Sequence, residues 1–376
     1  MIAILIFSFG ISLAYVFLIA RFLSGWNAIP EFQIRKVALN VSVSLIIAFR
    51  NEEKNLPQLF RALLAQTYPA SSIEILLVDD HSEDQSSLIA QQFVGSVSNA
   101  RLISMEAHAA GKKKALSIAS LEARGQLLIF TDADALPTEN WIRTIVSCYQ
   151  QTHAVLIASP VVIKPAGDFF TAFQSLEFLS LIGSTAGSFG IHDPIMVNGA
   201  NLAVDRLRYL ENLDFLQNEI ASGDDVFLLL NLKKKYPRKL VFLKSLEASV
   251  SLNPVSGLYD FLQQRLRWAS KSRFYKDKIL ILTAVIVLLI NLWLLNCFVM
   301  SFFELPFVFI GGGVFLTKTL VDFIFLRKVL HFFQMERLLK FFVLSQFLYF
   351  LYISFAGLAG NFLPYKWKGR TVKQTI

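Results

Sequence analysis

Two cysteines in 376 residues exclude a disulfide-stapled scaffold, and one of them, Cys297, lies in an apolar run. The five histidines show no spacing suited to zinc. No G-x-G-x-x-G follows the first strand-like run, which disfavours a dinucleotide-binding Rossmann domain. The chain has no internal repeat and no low-complexity segment. Charge is sparse as well: 17% of residues are charged against 54% hydrophobic, with a mean hydropathy of +0.51. That balance is too apolar for a wholly soluble protein.

The formal charge is +8, a balance that nucleic acid could match. The basic residues cluster beside apolar segments, however: Arg265, Arg267, Lys271, Arg273, Lys276 and Lys278, then Lys366 to Lys373. That placement reads as contact with an anionic leaflet and as a topology signal, so membrane, and no nucleic acid, is the expected partner. Residues 1–23 are almost entirely apolar, lack a basic start and meet no small-x-small cleavage site, which reads as an uncleaved transmembrane anchor. Arg21 stands near its end and Arg35 and Lys36 follow it, and the positive-inside rule then places the next domain in the cytoplasm. The soluble domain is expected at 40–277, three apolar membrane segments within 278–363 (about 279–300, 304–326 and 339–363), and a basic tail at 364–376. Three crossings would put that tail outside, against the positive-inside rule. Either the tail is an exception or one segment is re-entrant.

Within the soluble part, strand-like runs at 41–49, 73–78 and 127–130 alternate with helical spacing at 55–66, 86–93, 112–123 and 141–150. This is the rhythm of a doubly wound α/β sheet. Residues 169–189 are aromatic and apolar but interrupted by Gln174 and Glu177, and read either as an amphipathic segment on the membrane or as a buried core helix. Residues 259–275 mix aromatics with bases and read as an interfacial helix.

The run Leu127-Leu-Ile-Phe-Thr-Asp-Ala-Asp134 carries the chemistry furthest. A buried strand ending in Asp-x-Asp puts two carboxylates at the carboxyl edge of a sheet, where α/β folds bind ligands. Such a pair suits a hard divalent cation carrying a diphosphate. Glu52-Glu53, Asp79-Asp80 and Asp224-Asp225 stand at comparable places, and one shared site explains all four clusters better than four solvated turns.

The chain here resembles the membrane-bound family-2 glycosyltransferases of the GT-A fold. The matching patterns are Val43-Ser-Leu-Ile-Ile-Ala-Phe-Arg-Asn-Glu52, Leu77-Val-Asp-Asp-His-Ser82, Gly111-Lys112, Thr131-Asp-Ala-Asp134, Asn198-Gly-Ala-Asn201, Ser222-Gly-Asp-Asp225 and Gln264-Arg-Leu-Arg-Trp268. The last is the family's QxxRW. The resemblance implies a mixed GT-A sheet and an inverting transfer of a sugar from a nucleotide diphosphate, with UDP expected. One anchor and three C-terminal segments can hardly enclose a polymer channel, so the expected transfer is non-processive, of one sugar to a membrane lipid or lipid-linked saccharide. The resemblance also implies Ala48, Glu52, Asp80, Lys112 and Asp132 around the nucleotide sugar, and Asp134 with Asp132 on Mn²⁺ or Mg²⁺. Asp225 would be the general base with Asp224 beside it, and Gly199, Gln264, Arg267 and Trp268 would meet acceptor and diphosphate. His81 stands where the family more often has Gly. A processive polysaccharide synthase and a non-catalytic nucleotide-sugar-binding scaffold are the alternatives. The expected place is a bacterial-type inner membrane, with the catalytic domain cytoplasmic.

Overall fold

A computed structural model describes residues 1–34, 40–106, 110–213, 224–360, 362–367 and 370–372, with side chains as far as residue 364. The chain divides into an apolar unit (Met1–Ala28, Lys164–Asp193, Pro254–Ile376) and an α/β unit (Ile29–Ile163, Pro194–Asn253). Of the expected block 40–277, residues 164–193 and 254–277 group with the apolar helices. Arg35, Lys36 and residues 214–223, with Ser222 and Gly223, lie outside the described residues.

The apolar unit opens with α1 (Ile2–Ala28). In the α/β unit, β1 (Val43–Phe49), α2 (Leu56–Leu64), β2 (Ile73–Asp79), α3 (Ser86–Ser96), β3 (Ala100–Ser104), α4 (Lys112–Glu122), β4 (Leu127–Phe130), β5 (Leu136–Pro137), α5 (Trp141–Thr152), β6 (Leu156–Ala158) and β7 (Val161–Ile163) follow. The chain then passes through α6 (Phe169–Gly190) of the apolar unit. It returns for β8 (Leu202–Asp205), α7 (Arg206–Leu210), α8 (Asp224–Lys235), β9 (Leu240–Phe242) and β10 (Val250–Leu252).

The main sheet has the order β3-β2-β1-β4-β8-β6-β9, and a small sheet has the order β5-β10-β7. Every residue of β1 and of β4 is buried, as a parallel strand covered on both faces requires. β1, β2, β3 and β4 run parallel, whereas β8 runs antiparallel to both β4 and β6. The sheet is thus mixed, as the GT-A resemblance implies.

Two features of this order place the site. The chain lays down β1, β2 and β3 in one direction, then returns to the far side of β1 for β4. That makes a topological switch point between β1 and β4, where open α/β sheets bind ligands. The reversed β8 starts opposite Phe130, with Leu202 as its partner, so the turn before β8 arrives at the edge where β4 ends.

The apolar unit continues with α9 (Leu258–Ala269), α10 (Lys278–Met300), α11 (Pro306–Phe332) and α12 (Phe342–Ala359), then the hairpin β11 (Tyr365–Trp367) and β12 (Arg370–Val372). Ile2–Ala28, Lys278–Met300, Pro306–Phe332 and Glu336–Ala359 are long and apolar enough to cross a membrane. α11 runs past Arg327 and Lys328, where its apolar stretch was expected to stop.

α6 is not a surface-lying segment. Most of its residues are buried, so of its two readings the core helix describes it. It meets α1 backbone to backbone: a Cβ on Gly25 would lie 1.9 Å from the carbonyl oxygen of Gly187, and one on Gly190 1.9 Å from that of Gly25. Only glycine permits helices to approach so closely. A second tie is polar. Lys318 of α11, 1% exposed, donates to Asp322 at 2.6 Å and to Gln346 of α12 at 2.8 Å, and Tyr15 of α1 donates to Asp322 at 2.7 Å. Charges buried in an apolar bundle need such partners.

Candidate active site

Three acidic clusters meet at one place, the first turn of α4. Gly111, its N-cap, donates its amide to Asp80 Oδ1 at 3.0 Å. Lys112 donates to Asp132 Oδ1. Lys113 pairs with Asp224 Oδ1 at 3.5 Å. Three consecutive residues thus reach the loop after β2, the loop after β4 and the start of α8. Gly111 has φ +102°, a left-handed backbone that glycine adopts without a Cβ clash. Lys112, Lys113 and Lys114 in a first turn oppose the helix dipole, an arrangement that neighbouring anions offset. That conflict was the available signal for Lys113.

The fourth contact closes the group. Gly199 donates its amide to Asp225 Oδ2 at 3.0 Å, and Val226 donates to Asp225 Oδ1 at 2.9 Å. Asp224 and Asp225 open α8, where the dipole favours negative charge. Gly199 is fixed by its own turn: Asn198 caps it through the amide of Ala200 at 2.9 Å, and Thr131 donates to the carbonyl of Ala200 at 2.8 Å. Asn201 is buried and donates to the carbonyls of Pro160 and Ala248. The Asp-x-Asp loop and the Asn198–Asn201 turn therefore share bonds.

On the β1 side, Arg50 donates to the carbonyl of Asp80 at 2.9 Å and to Glu83 at 2.6 Å. The loops after β1 and β2 are cross-linked by Asn51 to Glu83 (2.8 Å), Glu52 to Ser86 (2.6 Å) and Gln85 to Glu53 (3.1 Å). Burial acts to raise the Asp84 carboxyl, but hydrogen bonds from Ser86 and the Glu53 amide outweigh it, and its pKa is lowered. Glu52 is buried and accepts from Asn55 at 2.6 Å, and Ala48 lies near the end of β1 at the switch point. His81 has φ +58°, a left-handed backbone that a glycine adopts more readily. Its Nδ1 stands 3.3 Å from Asp80 Oδ1.

Among the residues expected at the site, Asp80, Lys112, Asp132, Asp224, Asp225 and Gly199 are joined by these bonds. Asp134 stands two residues beyond Asp132 on the same loop. Gln264, Arg267 and Trp268 lie on α9 of the apolar unit. Glu177 and Arg265, a buried pair of that unit, went unread in the sequence. Asp132 and Asp134 offer the hard carboxylate oxygens that Mg²⁺ or Mn²⁺ takes, so the donor chemistry fits such a cation. Among the described residues no group of three or more His, Cys, Asp or Glu could hold a metal alone. A cation here would complete its shell with phosphate and water.

The mixed sheet, with acids gathered at its switch point, is that of a GT-A fold, in a chain that also has four helices long and apolar enough to cross a membrane. Residues 44–211 match the family model "Glycosyl transferase family 2". It is 32% identical over 194 residues to glycosyltransferase AglE of Haloferax volcanii, a match covering 49% of this chain and 59% of that protein. It is 27% identical over 137 residues to the beta-monoglucosyldiacylglycerol synthase of Synechocystis sp., covering 36% of this chain and 29% of that protein. These matches span less than two thirds of either relative. The mannosyltransferase PcManGT from Pyrobaculum calidifontis, solved with GDP-Man and Mn²⁺, is similar over 95% of this chain and 97% of its own, with TM-score 0.56 and 17% identity. At that identity the likeness establishes the fold.

Proposed function

We propose that the chain transfers one sugar from a nucleotide-diphosphate donor to a membrane lipid or lipid-linked saccharide, inverting the anomeric centre and releasing the product after each transfer. The single observation that supports this most is the first turn of α4, which ties the loops of Asp80, Asp132 and Asp224 into one locus. A helix N-terminus bearing lysines suits a diphosphate, since its amides and charge face an anion. Asp80, Glu52 and Ala48 hold the nucleoside end, and Lys112 and Asp132 the sugar diphosphate. A divalent cation on Asp134 and Asp132, when bound, neutralises the leaving diphosphate.

Asp225 takes the proton from the acceptor hydroxyl as that oxygen attacks the anomeric carbon, while the bond to the diphosphate breaks on the opposite face. Asp225 rather than Asp224 is favoured for this, because Asp224 is paired with Lys113 while Asp225 meets the turn beside the Asp-x-Asp loop. Gln264, Arg267 and Trp268 serve diphosphate and acceptor: the Arg267 guanidinium forks onto phosphate oxygens, and Gln264 and the flat Trp268 indole face the acceptor. The lipid acceptor is supported by the four membrane-length helices and by the glycolipid in the name of the Synechocystis relative. The reading as an inner-membrane protein with the α/β unit cytoplasmic rests on the placement of basic residues. Gly360, at the end of α12, packs against Ala269 at the end of α9. That contact favours a tail on the side where α10 begins, as the positive-inside rule asks.

The test is to incubate membranes holding the full chain with radiolabelled UDP- and GDP-sugars, with Mn²⁺ or with EDTA, and to extract lipids. Metal-dependent label in an organic-soluble product is expected. Label only in a large polymer would indicate a processive synthase, and no incorporation from any donor a binding scaffold.

A further inference from the structure

The crossing of α6 and α9 in the apolar unit holds two charges that the proposed chemistry leaves unused. Arg265 is 3% exposed and Glu177 5% exposed. Charges buried to that degree are costly unless paired and hydrogen-bonded. The acid is satisfied twice: Arg265 Nη2 donates to Glu177 Oε2, and Tyr352 of α12 donates to Glu177 Oε1 at 2.8 Å. The other side of the guanidinium is turned onto the QxxRW segment, of which Arg265 is an unassigned member. Arg265 Nη1 donates to Gln264 Oε1. Its Cζ stands 4.4 Å from the centre of the Trp268 ring and 4.1 Å from that of Phe261. Phe178 of α6 lies beside Trp268 at 6.1 Å between ring centres.

We infer that Arg265, anchored by Glu177, is a positioning residue that sets the orientation of Gln264 and Trp268 for the acceptor. This rests on the proposed acceptor-side role of those two residues. Its physical content is specific. With its carbonyl oxygen engaged by the guanidinium, Gln264 keeps its amide N–H donors for another group. A flat cation stacked on the indole fixes the ring's plane, which a lysine ammonium does not reproduce. Glu177 reaches the motif from far away in sequence, so α6 dictates the geometry of α9.

The experiment uses the full chain in detergent micelles, labelled with 5-fluorotryptophan. There are five tryptophans, and the Trp268 signal is identified by its loss in Trp268→Phe. Arg265→Lys and Glu177→Gln are expected to move or broaden that one fluorine resonance and leave the others in place. With phosphatidylcholine vesicles carrying diacylglycerol as acceptor, and UDP-glucose or GDP-mannose as donor, the same variants should raise the acceptor KM about tenfold or more. Donor affinity and donor hydrolysis by water should stay unchanged. Should these variants fail to fold, Tyr352→Phe and Phe261→Leu perturb the same guanidinium more gently and are read in the same way. An unmoved Trp268 signal with unchanged acceptor kinetics overturns the positioning role and leaves the transferase reading intact. Equal loss of donor binding and acceptor use marks a merely structural pair and also overturns it. A wild-type protein that neither binds nor consumes any donor overturns both readings.

Discussion

In the α/β unit the acids gather at strand ends and helix starts, where backbone amides and partly exposed lysines hold them: the Lys112 and Asp132 side chains are 36% and 31% exposed. In the apolar unit the charged pairs are sealed, with Lys318 2% and Asp322 15% exposed at the side chain, and Arg265 and Glu177 3% and 4%. Exposed pairs contribute little to stability, whereas removing one member of a buried pair strands the other in a medium that does not solvate it. The rim pairs can therefore be exchanged for a ligand at small cost, while the sealed pairs serve to fix helices.

Asp225→Asn tests the rim most severely. It should lower transfer by about 10² to 10⁴-fold while donor binding persists, because only the base is lost. Near-normal turnover in a radiolabel assay would move the base elsewhere. Lys318→Met should destabilise the chain by about 3 kcal/mol or more, since Asp322 and Gln346 then face a thioether, and detergent-phase thermal melts would measure it. Lys112→Met is the matching change at the rim. Its expected cost in stability is under about 1 kcal/mol, with donor affinity the property that falls. Equal melting shifts for these two variants would break the contrast between rim and bundle.

The smallest effect concerns acid. Asp84 has a lowered pKa in the fold, so its stabilising share is fully present above the ordinary aspartate value of about 4 and is lost as pH falls through the lower folded value. Unfolding of the full chain followed between neutral and acid pH should show less acid sensitivity in Asp84→Asn than in wild type.

The first half of the α/β unit was legible because its strands are continuous apolar runs joined by helices of clear period. β1, β2, β4, α2, α4 and α5 fall within a few residues of their expected bounds. β6, β7, β9 and β10 were not, since three-residue strands carry no periodicity to detect. β3 is a partly exposed edge strand and lacks the apolar run of its neighbours. The same contrast governs the site. Asp132, Asp134 and the QxxRW segment announce themselves within a few residues. The partnerships of Lys113 with Asp224, and of Glu177 with Arg265, join positions about a hundred residues apart and appear only once the chain is folded. α6 stayed open between two readings for a related reason: Gln174 and Glu177 are polar interruptions in the sequence, and only the fold pairs Gln174 with the backbone of Val255 at 3.0 Å and Glu177 with Arg265 and Tyr352.

The glycine contact between α1 and α6 also sets an order of events during synthesis. α1 leaves the ribosome well before α6, and the groove it fits is not made until Gly187 and Gly190 emerge some 160 residues later. In the interval, the first β-strands can pair before α1 has met the helix that fits its glycine. Completion of the bundle is thereby coupled to completion of most of the α/β unit, because the chain reaches α6 only after seven of its strands have been made.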